Sequence, residues 1–186
     1  MREFIPKKHQ AYIYCANHTS YADIPTIYSA VLQDVNFIGK ASLRKVPLFG
    51  YMYSRLHILV DRKSGKSKIE SVEIAKKRID EGVSIIIFPE GTIPKYNNPT
   101  MIDFKDGAFK IAIEKQIPIV PITIPYNYIL LPDEDKMKAR RHECKIIIHK
   151  PIETKGLTLQ DIGALKQQTF QIIDAELTKH RKEIIQ

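Results

Sequence analysis

Ser84-Ile85-Ile86-Ile87-Phe88 is an uninterrupted apolar run. A strand with no polar face has to be covered on both sides, which is the condition of strands inside an α/β sheet with helices on each face. Residues 119–124, Ile-Val-Pro-Ile-Thr-Ile, form a second run of the same kind. Residues 11–16, 34–40, 57–60 and 145–149 are shorter and rich in β-branched or aromatic side chains, and they also read as strands.

Helical patterns separate these strands. Residues 24–32 read as a helix, residues 41–45 as a single helical turn, and Pro47 suits a first helical position ahead of the aromatic cluster Phe49, Tyr51 and Tyr53. That cluster is either the edge of the core or a lipid-facing surface. Ser67-Lys68-Ile69-Glu70 has the form of a capping box, opening a helix with Ile69, Val72, Ala75 and Ile79 on one face and Gly82 just past its end. A helix over residues 108–115 precedes the strand at 119–124. The last helix starts at Thr158-Leu159-Gln160-Asp161 and turns Ile162, Leu165, Ile172 and Leu177 inward. Alternating strands and helices over 186 residues predict one α/β domain, residues 1–186.

In such sheets ligands gather where strands end, because loop side chains and free helix N–H groups converge there. Three predicted strands end in chemically equipped residues. His18 follows the first, Arg62 follows the third, and Glu90-Gly91-Thr92 follows the fourth. Parallel strands would put all three on one edge.

Asn17-His18-Thr19-Ser20-Tyr21-Ala22-Asp23 is the reactive centre of this reading. A histidine takes a proton from a hydroxyl at neutral pH, and a carboxylate on its other ring nitrogen fixes the tautomer and stabilises the imidazolium. The chain has no G-x-S-x-G elbow. A dyad without its own nucleophile points to a substrate hydroxyl as the nucleophile. Two other readings stay open at this level: Ser20 and Asp23 also fit a capping box, and Cys15 is either a core residue or a thiol partner of His18.

The net charge is +8, with basic clusters within residues 62–68, 76–78 and 136–141. This favours anionic partners: nucleic acid, an anionic bilayer or a phosphorylated substrate. There is no RRM, KH or zinc-finger signature and no interleaving of aromatic with basic residues, so no nucleic-acid partner is expected. Two cysteines make no metal framework and give no reason to expect disulfides, so a reducing compartment is the default. No apolar run approaches the roughly 18–20 residues of a membrane span, and the N-terminus has no signal-peptide pattern. The chain leads almost directly into its first strand, so either the domain is minimal or a preceding segment is missing.

Asn17-His18 through Asp23 has the form N-H-x-x-x-x-D, and Phe88-Pro89-Glu90-Gly91-Thr92 has the form F-P-E-G-T. Both blocks resemble those of the glycerolipid acyltransferases, in particular the bacterial 1-acylglycerol-3-phosphate acyltransferases. Ile58-Leu59-Val60-Asp61-Arg62, Phe104-Lys105-Asp106-Gly107 and Pro118-Ile119-Val120-Pro121 resemble further blocks of that family in the same order. The resemblance runs from Tyr12 to Ile124 and implies a mixed, largely parallel sheet flanked by helices.

It also implies direct acyl transfer from acyl-CoA or acyl-carrier protein to a lysolipid hydroxyl, giving phosphatidic acid, with no metal or other cofactor. His18 would be the general base and Asp23 its orienting partner. Arg62, Glu90 and Gly91 would hold the glycerol phosphate, with Lys40 and Thr92 as further candidates. The chain departs from the family pattern at Ile93-Pro94, where an arginine and a serine are common, and at Leu56 in place of a glycine. The family also commonly carries N-terminal hydrophobic or amphipathic helices for membrane docking, and none is expected within the residues ahead of the first strand. Peripheral attachment to the cytoplasmic face of an anionic membrane, through basic and aromatic surface, is therefore the expectation. Acylation of a different lysolipid, a non-catalytic lipid-binding module of the same fold, and a Cys15–His18 thiol hydrolase are the competing readings.

Overall fold

The computed structural model describes residues 1–45, 49–94, 100–132 and 139–185. Six strands form one sheet: β1 (Ile13–Ala16), β2 (Val35–Lys40), β3 (Ile58–Val60), β4 (Ser84–Ile87), β5 (Ile119–Thr123) and β6 (Ile147–Ile148). Their order is β3-β2-β4-β1-β5-β6; the first five run parallel and β6 is antiparallel to β5. The apolar runs predicted to be covered on both faces are so placed. β4 and β1 lie at the centre, in register as Ile13 with Ile85, Tyr14 with Ile86 and Cys15 with Ile87.

Alternation along these strands builds two core layers. Ile13, Cys15, Ile85 and Ile119 face helices α3 (Gly65–Asp80), α4 (Gly107–Lys115) and α6 (Ile162–Ile185). Tyr12, Tyr14, Ile86 and Val120 face α1 (Asp23–Ala30) and α2 (Phe49–Leu56), through Ile27, Ala30 and Tyr53. The connection from β2 to α2 begins with a 3₁₀ turn, Ala41–Lys45, where one helical turn was expected. The remaining helix, α5 (Asn127–Leu130), is a single turn just past β5. At the opposite end of the chain, the Glu3 amide donates to the Ile148 carbonyl at 2.9 Å and the Ile148 amide to the Met1 carbonyl at 3.1 Å, which extends the sheet beside β6.

Three local expectations change. The cap of α3 is Ser64, whose hydroxyl accepts the Ser67 amide at 3.2 Å; the Ser67 hydroxyl accepts instead from the Asp61 amide at 2.9 Å. Of the predicted inward face Ala75 and Ile79 are buried and Val72 packs partly covered against the core, with Ser71 buried beside them, while Ile69 is exposed. In α6 the Thr158–Asp161 capping box forms as predicted, but it opens a short 3₁₀ turn (Leu159–Asp161), and the buried face is Leu165, Thr169, Ile173 and Leu177, with Ile172 only partly covered. In the aromatic cluster Tyr53 is buried and Tyr51 exposed, while Pro47, the Phe49 side chain and residues 136–138 of the third basic cluster lie outside what is described. None of the helices, over the described residues, is long and apolar enough to cross a membrane.

Candidate active site

The loop from β1 to α1 is tied down at four points. Asn17 is fully buried and bridges to the strand-end backbone of β5: its Nδ2 donates to the Ile124 carbonyl at 2.9 Å and its Oδ1 accepts the Ile124 amide at 2.8 Å. The Ser20 hydroxyl donates to the Leu131 carbonyl at 2.6 Å. The His18 amide donates to Glu90 Oε1 at 2.9 Å. The fourth tie is Asp23.

Asp23 is fully buried at the first turn of α1. Its Oδ2 accepts the Thr19 amide at 2.8 Å, the Ser20 amide at 2.9 Å and His18 Nδ1 at 2.9 Å, and its Oδ1 accepts Asn127 Nδ2 at 2.9 Å. One oxygen thus gathers two backbone amides ahead of α1 and the imidazole N–H together, but the capping box is only half formed, since the Ser20 hydroxyl accepts the Ala22 amide and α1 has no side-chain N-cap. A carboxylate only accepts, so this contact puts the Nδ1 proton on His18 and leaves Nε2 as the basic nitrogen. No described residue hydrogen-bonds to Nε2. The ring lies flat on Phe88, with centroids 3.9 Å apart and planes inclined by 17°, which fixes its rotation.

The imidazole borders a cleft of about 190 Å³ that is also lined by Lys40, Ser42, Tyr53, Arg62 and Thr92. Arg62 is half-buried and its Nη1 donates to the Gly91 carbonyl. Partial burial lowers its guanidinium pKa. Lys40 is exposed at the end of β2, and Thr92 is exposed with its hydroxyl directed to the Ile93 carbonyl at 3.4 Å. Gly39 leaves room for Tyr53: a Cβ there would collide with the tyrosine oxygen and ring. His18, Arg62, Lys40 and Thr92 thus come together from strand ends separated by up to 74 positions, as parallel pairing predicts.

Glu90 and Gly91 are placed differently. Glu90 is 1% exposed, and its second oxygen accepts the Ile102 amide at 3.1 Å, so both oxygens face backbone and neither faces the cleft. Burial raises its pKa to about 7 against the pull of the two amides. It braces the His18 backbone from behind. Gly91 has φ +74°, a conformation glycine adopts without strain, and that geometry presents its carbonyl to Arg62.

Cys15 is fully buried in the core layer facing α3, α4 and α6, and burial pushes its thiol pKa up. A thiol so placed is a packing residue rather than a nucleophile. Two participants escaped sequence reasoning. Asn127, beyond the last recognised block, reaches Asp23 only through the pairing of β5 with β1. Phe88 was read as the end of a strand, and nothing in its neighbours signals a surface for the imidazole.

The sequence matches the profile of a family described as Acyltransferase over residues 1–125. It is 30% identical to a 1-acyl-sn-glycerol-3-phosphate acyltransferase of Haemophilus influenzae, over 92% of this chain and 70% of that protein. A 1-acyl-sn-glycerol-3-phosphate acyltransferase of Chlamydomonas reinhardtii is 27% identical over 98% of this chain and 54% of the relative. Among solved structures, the 1-acyl-sn-glycerophosphate acyltransferase PlsC of Thermotoga maritima superposes with a TM-score of 0.77 and 26% identity, covering 94% of this chain and 68% of that one. The chain spans about half the length of several curated relatives, from 42% upward.

Proposed function

This chain belongs to the Acyltransferase family, and on that premise we propose that it moves a fatty acyl group from an acyl-CoA or acyl-carrier-protein thioester to the free hydroxyl of a 1-acylglycerol-3-phosphate. The observation that carries the proposal is the His18–Asp23 pair, whose basic nitrogen borders a cleft holding Arg62 and Lys40. His18 Nε2 takes the hydroxyl proton as that oxygen attacks the thioester carbonyl. Collapse of the tetrahedral adduct breaks the C–S bond, and the imidazolium gives its proton to the departing thiolate. Asp23 stabilises the imidazolium between these steps. Arg62, by its planar fork, and Lys40, as a point charge, hold the phosphate, and no metal enters the sequence of steps.

The acceptor lives in a bilayer, and we place the protein peripherally on an anionic cytoplasmic leaflet. Support comes from the surface beside the cleft. Tyr21 borders its mouth, and Tyr28 and Leu32 continue an exposed band along and past α1, 48% and 70% accessible. Tyr51 on α2 is exposed with the Arg55 guanidinium 5.2 Å from its ring centroid. Aromatic rings with neighbouring cations suit a headgroup region.

Thiol release from palmitoyl-CoA in mixed micelles, with and without oleoyl-lysophosphatidate, tests the proposal in wild type and His18→Ala. Acceptor-dependent release that yields phosphatidate and disappears in the variant is expected. Release without acceptor would make the protein a thioesterase, and release only with a phosphate-free acceptor would change the substrate. Cys15→Ala is expected to keep the wild-type rate within about twofold while lowering stability by about 1 kcal/mol; an inactive but folded variant would overturn direct transfer.

A further inference from the structure

Next to Gly91 the sheet edge opens into a second cavity, of about 420 Å³, between α3, α4 and the ends of β3 and β4. Val60, Val72, Ile87 and Ile111 make its floor apolar, and its charged lining is wholly cationic: Arg62, Lys68 and Lys105, with no carboxylate. Lys76, Lys115 and Lys166 each reach an acidic partner, whereas among the described residues neither Lys68 nor Lys105 has one.

Gly91 gathers two of the cations. Arg62 Nη1 is bound to its carbonyl, and the Lys105 side chain lies across its α-carbon, so that a Cβ on residue 91 would meet Lys105 Nζ at 2.7 Å and Cε at 3.1 Å. Cations brought together without a carboxylate repel, and an anion between them removes that repulsion. Apolar walls next to the cations then select an amphiphile whose phosphate adjoins its chain. Lysophosphatidate has only a glycerol between the two, while acyl-CoA has the length of its pantetheine arm.

We propose that Lys105 and Lys68 join Arg62 in seating the acceptor's phosphate, and that Lys105 makes the protein discriminate a phosphorylated lysolipid from a neutral one. This rests on the acyltransferase reading above, with lysophosphatidate as acceptor. The second cavity shares Arg62, Phe88 and Ile38 with the catalytic cleft, and Phe88 carries the His18 ring. A phosphate at Lys105 therefore leaves the glycerol between the cations and the base.

Binding separates this seat from turnover. Equilibrium dialysis of radiolabelled 1-oleoyl-lysophosphatidate and 1-oleoylglycerol, below micelle-forming concentrations, is carried out on His18→Ala with and without Lys105→Met, Lys68→Met or Lys105→Arg. His18→Ala is expected to prefer the phosphorylated lipid, Lys105→Met to cut that preference about tenfold or more, Lys68→Met to cut it less, and Lys105→Arg to retain it. In the wild-type background, Lys105→Met is expected to raise KM for lysophosphatidate and not for palmitoyl-CoA. A preference unchanged by either methionine, or a KM change confined to palmitoyl-CoA, would overturn the proposal. Preference for the phosphorylated lipid in a wild type that transfers no acyl group would instead overturn the functional reading and leave the seat standing.

Discussion

Asp23→Asn is expected to lower kcat by about 10³- to 10⁴-fold with KM for both substrates nearly unchanged. Three donors converge on Oδ2 and one on Oδ1, and an asparagine has one oxygen to offer. If that oxygen keeps the Oδ2 position, the new NH₂ points at Asn127 Nδ2, donor against donor. If it turns over, the NH₂ faces two backbone amides, and His18 Nδ1 must accept rather than donate. The imidazole proton then sits on Nε2, the nitrogen that has to take one. In either arrangement the charge that steadies the imidazolium is gone.

Stability falls as well, by about 1–3 kcal/mol for the mismatched buried donor. Asn127→Asp added to Asp23→Asn returns an acceptor to that donor, so the double variant is expected to regain the urea midpoint but not the rate. Single-turnover acyl transfer and urea unfolding at pH 8 read the two effects separately. An Asp23→Asn protein that transfers acyl groups at the wild-type rate would reduce Asp23 to a helix cap.

What the sequence could and could not foretell follows from the range of the forces involved. Residues 84–88 and 119–124 announce themselves because burial on both faces leaves each run almost wholly apolar, its one hydroxyl, Ser84 or Thr123, buried and hydrogen-bonded. Once the strands at 11–16, 57–60 and 84–88 are laid parallel, His18, Arg62 and Thr92 fall on one edge without further information. The Asn127 contact with Asp23 spans 104 positions, and only the sheet order β4-β1-β5 brings the two together; no local periodicity encodes that order. Ser64 and Ser67 are both able caps, and the choice rests on the extended backbone of Ser64, φ −95° and ψ 117°. Glu90 stands in a recognisable block, but whether its carboxylate turns to the cleft or to the backbone is a matter of side-chain direction. The structure turns it inward.

That inward turn gives the second large effect, a stability that falls with rising pH. The Glu90 carboxyl has its pKa raised from 4.5 to about 7, chiefly by burial. A raised carboxyl pKa means that the folded protein holds the proton more tightly than the unfolded chain, so the stabilisation is complete below about pH 4.5 and is lost as pH rises to about 7. The difference of about 2.5 between the two values corresponds to about 3 kcal/mol. His149, whose pKa burial lowers, contributes with the opposite sign, so the Glu90 effect is read as the difference between wild type and Glu90→Gln. Relative to wild type, Glu90→Gln is expected to gain about 3 kcal/mol between pH 4.5 and 8 by urea unfolding.

It is also expected to be slower. The ionised carboxylate accepts the His18 and Ile102 amides at once, and a glutamine must turn its NH₂ toward one of them. Loosening the His18 backbone misplaces the base, at a cost of about 10- to 100-fold in rate at pH 8. The ionised brace is thus held at the expense of stability above about pH 7. A wild-type-minus-variant difference that stays flat from pH 4.5 to 8 would mean that Glu90 is hydrated and ionises like a surface carboxylate, and the link between the brace and the base would be lost.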